Sequence, residues 1–509
     1  MWISAIPEKV PAQGPLTGLN FAIKDNIDYA DVPTTAGCPA FAYTPAISAT
    51  IVDQLEAAGA KAIGKTNLDQ FATGLVGVRT PYGACSSVFN PAYISGGSSS
   101  GSAVAVASGK VDFALGTDTA GSGRVPAAFN NIVGLKPTKG LLSTTGVVPA
   151  CASLDCVSIF TRDLLTARRV FAAVAPRTAT PTWVEGTFRF GVPRAQDLQF
   201  FGDDAAATLF EAAIKRLEAA GGNRVEIDYT PFRETAELLY SGPWVAERYA
   251  AVGAFIEGHL DDVHPVVRDI ILGGAKYSAA ESFKAMYKLE SLRAQSIKVW
   301  STIDLLLVPT TGTTYTIAEV EADPIKLNSN LGLYTNFVNL LDLAALSIPA
   351  GFRPNGLPFG ISLIAPAFTD WALLDLAARL EEVRLTVVGA HLSGQPLNKQ
   401  LTERGARLLK TCKTSPEYRL YALANTSPPK PGLVREPGFV GPGIEVEVWA
   451  MPTRNLGGFL AMIPQPLGLG SLKLDDGTTA IGFVCEPAGL NYATEITALG
   501  GWRNYLAKR

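Results

Sequence analysis

Charge is sparse and balanced along this 509-residue chain: 43 Lys and Arg stand against 46 Asp and Glu, 17% of residues, for a net charge of −3. A nucleic-acid partner is disfavoured, because a phosphate backbone calls for a basic stripe that the sequence lacks. No apolar run reaches the length of a membrane span, and residues 1–9 lack the cationic start and hydrophobic stretch of a secretory leader, so no membrane partner and a cytoplasmic location are expected. Histidine is scarcer still: only His259, His264 and His391 occur, none near the serine-rich segments below. The six cysteines, Cys38, Cys85, Cys151, Cys156, Cys412 and Cys485, include no Cys-x-x-Cys pair and have no histidine nearby. Their scatter argues against a zinc centre or disulfide framework and for buried reduced thiols. No Ala-Met-Lys-Met biotin attachment sequence is present, and no metal or other cofactor is expected.

What is abundant is small residues in one place. From Gly96 to Ser122 the chain runs Gly-Gly-Ser-Ser-Ser-Gly-Ser-Ala-Val-Ala-Val-Ala-Ser-Gly and, beyond a short hydrophobic strand, Gly-Thr-Asp-Thr-Ala-Gly-Ser. Two hydroxyl-rich turns bracket a stretch of Ala and Val, so two serines can meet with little side-chain bulk between their backbones. Such a run by itself reads as a linker or a phosphate loop. The small-residue helix start at Ala103–Ala107 argues against a linker, and the run contains neither phosphate-loop pattern. A serine hydroxyl becomes a nucleophile when a neighbouring base takes its proton. With histidine scarce and no Gly-x-Ser-x-Gly elbow around Ser122, an α/β-hydrolase triad is disfavoured. Ser427 stands three residues before Lys430, but the intervening Pro428 and Pro429 bar the helical turn on which a Ser-x-x-Lys pair works. A lysine base from elsewhere in the chain remains.

The segment Phe21-Ala22-Ile23-Lys24-Asp25-Asn26, with Thr34-Thr35-Ala36-Gly37 after it, and the two serine turns in their order and spacing resemble the amidase signature hydrolases. The resemblance runs over roughly residues 2 to 395 and includes Val308-Pro309-Thr310, Ile348-Pro349-Ala350-Gly351 and Gly356-Leu357-Pro358-Phe359-Gly360. It implies that Lys24 is the base, that Ser98, behind a cis Gly97–Ser98 peptide, is the relay, and that Ser122 is the nucleophile. The backbone N–H groups of Thr119, Ala120, Gly121 and Ser122 are then expected to hold the oxyanion. To act near neutral pH, Lys24 must come down from a reference pKa of about 10.4, on the order of 4 to 5 kcal/mol of destabilised ammonium; burial can supply this. In an extended strand neighbouring side chains alternate, so Lys24 can face the site while Asp25 faces away.

The size and the 47% hydrophobic content support more than one domain. Residues 15 to 180 alternate Val/Ile-rich strands with helical segments such as Ile47 to Ala58, residues 203 to 220 and 233 to 300 read as amphipathic helices, and 302 to 390 return to strands with a last helix over Trp371 to Glu382. The expected fold is α/β, the amidase signature fold: a mixed, mostly parallel sheet covered by helices, with a smaller, mainly β C-terminal domain. The expected boundaries are 1–395 for the first domain, 396–415 for a linker carrying a helix from Asn398 to Leu409, and 416–509 for the second. Strands are expected at Tyr418 to Ala422, Ile444 to Trp449 and Ala480 to Cys485, with a turn at Asp475-Asp476-Gly477.

This second domain resembles that of the allophanate hydrolases, through Tyr418–Leu423 and Gly443–Trp449; Ser100 and Asn130–Pro137 are also similar to that subgroup. The subgroup implies ammonia release from a small carboxylated urea, in the catabolism of urea or cyanuric acid nitrogen, followed by decarboxylation of the product, and a homodimer. Tyr240 and Arg248 stand at its matching substrate-binding positions, and a guanidinium fork suits a carboxylate. Without the resemblance Arg248 reads as half of a surface ion pair. A role for the C-terminal domain in decarboxylation points to Glu445, Glu447 and Glu486, since no histidine follows His391; a structural or dimer-forming role is an equal alternative. Other open readings are an amidase for another small amide, an amidotransferase-type subunit, and a non-enzymatic binding module. Only 23 residues precede Lys24, where many relatives carry a helical segment, so a short form or a trimmed chain is expected.

Overall fold

The computed structural model describes residues 1–177, 181–184 and 186–509. The chain folds as two compact units, Met1–Ala377 and Ala378–Arg509. The first is built on a sheet of strands β1 (Trp2–Ala5), β2 (Asn20–Lys24), β3 (Lys61–Thr66), β4 (Phe113–Asp118), β5 (Val133–Lys136), β6 (Cys156–Thr161), β7 (Phe188–Pro193), β8 (Gly222–Ile227), β9 (Leu305–Pro309), β10 (Ala344–Phe352) and β11 (Pro358–Ala365). Among the described residues their order is β1-β3-β2-β4-β6-β5-β10-β11-β9-β7-β8.

The sheet is mixed, as expected, but it is not mostly parallel. Parallel pairing holds β3, β2 and β4 together and, at the far side, β9, β7 and β8. The strands between them, from β4 through β6, β5, β10 and β11 to β9, pair antiparallel. The connection from β10 to β11 over residues 353–357 is too short for the crossover that parallel neighbours need. Strands β4, β6, β9 and β11 are buried along their whole length, which is why they read as hydrophobic runs rather than alternating ones.

Two consequences position the site. The parallel pairing of β2 with β4, Ile23 opposite Leu115, brings the C-terminal ends of both strands to one edge of the sheet. The helix Ser100–Ala107 lies against this part of the sheet, with Ala103, Ala105 and Val106 in one cluster with Ala22, Ala114 and Phe160. Alanine on both surfaces lets the backbones approach closely. Further along, the helix expected over Asp204 to Ala220 spans Asp204–Ala219, and Gly242 and Pro243 separate helices Thr230–Ser241 and Trp244–Gly258, which carry Tyr240 and Arg248.

The second unit contains β12 (Glu382–Val387), β13 (Arg407–Lys413), β14 (Tyr418–Ala422), β15 (Pro431–Arg435), β16 (Glu445–Pro452), β17 (Leu467–Lys473), β18 (Thr479–Cys485) and β19 (Thr494–Glu495). They form sheets of order β13-β16-β12-β18-β17 and β15-β14-β19 around a core that includes Leu385, Tyr418, Val448, Trp449, Phe483 and Trp502. Two expectations are corrected here. The boundary lies near Ala377 rather than 395, because β12 is the middle strand of the larger sheet, antiparallel to β16 and parallel to β18. The linker helix is absent: only Lys399–Thr402 is helical, Gly405 turns the chain at φ +72°, and the next residues form β13 on the edge of β16. The last helix of the first unit correspondingly stops at Arg379 instead of reaching Glu382.

A fragment comprising residues 378–509 should therefore melt in a cooperative transition with a fixed near-ultraviolet dichroism signal. A fragment beginning at 396 lacks β12 and should show neither; equal behaviour of the two fragments would refute the boundary.

Candidate active site

The Lys24 side chain leaves the end of β2 and is completely buried. Its Nζ donates to Ser98 Oγ at 2.7 Å and to Thr117 Oγ1 at 2.6 Å. Burial pulls the ammonium down to about 7; the more distant carboxylates of Asp69, Asp155 and Asp118 oppose the shift and Arg248 adds to it. Asp25 faces away, with its carboxylate 3.2 Å from Lys65 Nζ and bonded to the Thr35 N–H and hydroxyl. Lys65 belongs to Gly59–Thr66, which has the spacing of a phosphate loop, but Lys61–Thr66 is strand β3 and no such loop forms.

Ser98 follows the cis Gly97–Ser98 peptide and stands just before the helix Ser100–Ala107. Its carbonyl accepts the Asp69 N–H at 3.1 Å. Gly97 is required by close approach: a Cβ there would lie 2.1 Å from Asp69 Oδ2 and 2.6 Å from the Gly77 nitrogen. The two serine turns are stitched together by Ser99, whose hydroxyl bonds the Thr117 carbonyl at 3.1 Å.

Ser122 lies in the turn between β4 and the helix Val125–Phe129. Asp118 braces that turn, accepting the Gly121 N–H at 2.8 Å and the Gly123 N–H at 3.0 Å. Arg124 clamps the same carboxylate with Nε and Nη2, both at 2.9 Å. Burial pushes the Asp118 carboxyl up, and Arg124 together with the turn amides outweighs it, so the group stays below the usual carboxylate range. Four backbone amides were expected at the oxyanion site. The Gly121 N–H is engaged by Asp118 and is not available; those of Thr119, Ala120 and Ser122 have no protein acceptor among the described residues. Nor does Ser122 Oγ bond Ser98 among them, although Ser122 is only 3% exposed.

Arg248, five residues into its helix, is 2% exposed. Among the described residues it has no ion pair, and its one side-chain hydrogen bond runs from Nη1 to Thr73 Oγ1 at 3.0 Å. The Tyr240 ring lies 5.9 Å from its guanidinium carbon. Tyr240 also lines a cavity of about 460 Å³ with Arg79, Val245, Tyr277 and Asn328. A surface ion pair, the expectation for Arg248 without the resemblance, is thus not what forms among the described residues: the guanidinium is buried. No group of side chains suited to a metal ion is present among the described residues, and no described helix is long and apolar enough to cross a membrane.

The second unit has a cavity of its own, about 240 Å³, lined by His391, Gln400, Lys430, Phe459, Met462 and Phe483. His391 Nε2 is 2.9 Å from Gln400 Oε1, and its ring stacks on Phe483 at 5.0 Å. Burial, with Lys430 nearby, holds the imidazole below its usual range. A boundary at 395 puts His391 in the first domain; the buried Leu385-Thr386-Val387 of β12 just before it are the signal for the second. The glutamates expected there are elsewhere. Glu447 is bonded to Ser393, Trp449 and Arg503, Glu445 pairs with Arg503, and Glu486 is exposed.

Residues 3–374 match the family model described as amidase, and residues 383–507 the one described as allophanate hydrolase C-terminal domain. Urea amidolyase of Lachancea kluyveri is 44% identical over 97% of this chain, which spans 30% of that protein's length. A component of the glutamyl-tRNA(Gln) amidotransferase of Ligilactobacillus salivarius is 34% identical over 71% of the chain and 82% of its own length. Among solved structures, Kluyveromyces lactis allophanate hydrolase aligns over 100% of this chain and 93% of its own, with 41% identity and a TM-score of 0.70.

An amine that titrates near 7 leaves a signature if it serves as the base. Labelling of Ser122 by a serine-directed fluorophosphonate should accelerate as pH rises through about 7, because below that value Lys24 carries its proton and cannot accept another. Lys24→Met should flatten the profile at the low-pH rate, and a wild-type rate independent of pH between 6 and 8 (roughly the span in which such a base titrates) would remove Lys24 as the base.

Proposed function

The chain belongs to the amidase family, and from that premise we propose that it hydrolyses the terminal amide of allophanate in the catabolism of urea. The observation that carries this substrate is Arg248, a buried guanidinium with no acidic partner among the described residues, beside the Tyr240 ring. An unpaired buried cation is costly unless a ligand completes it. The carboxylate of allophanate can do so through two parallel hydrogen bonds, which presents the carbamoyl end to the serines.

Ser122 Oγ attacks the terminal carbonyl carbon while its proton passes through Ser98 to Lys24. The hydrogen bond from Lys24 to Ser98 supports this relay. The amides of Thr119, Ala120 and Ser122 receive the oxyanion, held in place by the Asp118–Arg124 brace around Gly121. Lys24 returns the proton to the leaving nitrogen, ammonia departs, and water cleaves the carbamoyl ester to regenerate Ser122. The product carries two carboxylates on one nitrogen. Its decarboxylation needs a proton on that nitrogen as carbon dioxide leaves; the Lys430 ammonium lining the His391 cavity can give that proton and regain one from solvent, with the imidazole beside it, and this supports that role for the C-terminal unit. The proposal keeps a cytoplasmic homodimer; sedimentation of the whole chain tests the homodimer.

Ammonia release from allophanate, with malonamate, acetamide and urea in parallel, tests the first step. Turnover should be confined to the two carboxylated amides, and Arg248→Ala should lower kcat/KM on them by about a hundredfold or more, the loss of a buried charge-assisted pair worth about 3 kcal/mol. Ser122→Ala should abolish release. Equal or better turnover of acetamide would move the chain to amidases of other small amides. For the second step, His391→Asn should delay carbon dioxide evolution while leaving the first equivalent of ammonia at its wild-type rate; an unchanged time course would leave the C-terminal unit with a structural role.

A further inference from the structure

Arg248 would be a loose receptor if nothing aimed it, because the residue has several rotatable bonds and, among the described residues, one side-chain hydrogen bond to the protein. That bond goes to Thr73, itself completely buried. The Thr73 hydroxyl donates its own proton to the Phe71 carbonyl at 3.1 Å, so the side of the oxygen that meets Nη1 of Arg248 is fixed as an acceptor. The Thr73 carbonyl in turn accepts Nη1 of Arg79 at 3.1 Å.

The segment that carries Thr73 is held at both ends. The Asp69 carboxylate accepts the N–H groups of Gly77 at 3.0 Å and Arg79 at 2.9 Å, while the Asp69 N–H bonds the Ser98 carbonyl. Between them Phe71 and Ala72 adopt φ of +49° and +52°, a conformation that residues with a Cβ keep only where the surroundings impose it. Residues 69–79 therefore form one stiff connection from the relay serine to the receptor guanidinium.

We propose that Thr73 is a positioning residue for substrate selection: its hydroxyl aims the Arg248 guanidinium at the substrate carboxylate, at a distance from the reacting carbonyl set by the 69–79 segment. The inference rests on the reading of Arg248 given above. Thr73→Val keeps the shape and removes the acceptor. KM for allophanate and the inhibition constant of malonate, a competitor that shares only the carboxylate end, should both rise about tenfold or more, the worth of one bond to a charged group. The rate at saturating allophanate should stay within about twofold, since the serines and Lys24 are untouched. Thr73→Ser restores the hydroxyl in a smaller side chain and should recover both constants; Thr73→Ala should repeat the rise without placing a methyl group in buried space. Wild-type constants in the Val variant, a fall in the saturated rate without a rise in KM, or failure of Ser to rescue would each overturn the proposal. If Arg248→Ala destroys selectivity and Thr73→Val does not, this inference alone falls. If Arg248→Ala leaves selectivity intact, the carboxylate reading falls with it.

Discussion

Everything at the serine site depends on keeping one ammonium group buried and without a carboxylate partner. A buried lysine draws the nearest acid into an ion pair unless that acid is occupied. Four buried aspartates surround this one, and each is engaged by something else. Asp25 goes to Lys65 and Thr35, Asp118 to Arg124 and the turn that carries Ser122, Asp155 to Thr119 and the amides of Ala150 and Cys151, and Asp69 to the amides of its own loop. Among the described residues Lys24 is left with two hydroxyls. The acids act on it only from a distance, which tempers the desolvation and leaves a group that can hold or release a proton near neutrality.

The same logic, inverted, applies at Arg248. There too, among the described residues, a cation is buried without an acid, but a guanidinium does not shed its proton, which is why the proposed function gives it the substrate carboxylate as partner. In the proposed function these two cations, the lysine and the arginine, divide the work between chemistry and recognition. Tyr240 and Thr73 hold the second cation as Ser98 and Thr117 hold the first.

The parts legible in the sequence were those whose residues are local. Lys24 at a strand end, Ser98 after a double glycine and Ser122 in a second turn follow from short motifs, and the structure seats them at neighbouring strand ends and turns. Features fixed by distant partners were not legible. The Gly121 amide reads as available in the sequence, whereas in the fold Asp118 holds it, and Thr73 gains a part only because a helix some 175 residues away in sequence delivers Arg248 to it. The apolar spacing over Asn398 to Leu409 suggests a helix, yet the positive φ at Gly405 and the pairing of Arg407–Lys413 with β16 decide otherwise. His391 escapes a reading of the sequence for the same reason: its domain is defined by strands that come much later in the chain.

The central placement of β12 sets a timetable for synthesis. This strand is the first piece of the C-terminal unit to be translated, and its neighbours are Glu445–Pro452 and Thr479–Cys485. At about 5–20 residues per second, a ribosome needs several seconds to deliver both after β12 emerges. Until Glu445–Pro452 emerges, a strand whose Leu385 and Val387 belong in a core has both edges open, so a chaperone that shields nascent β-strands has a task on this chain at the start of the smaller unit.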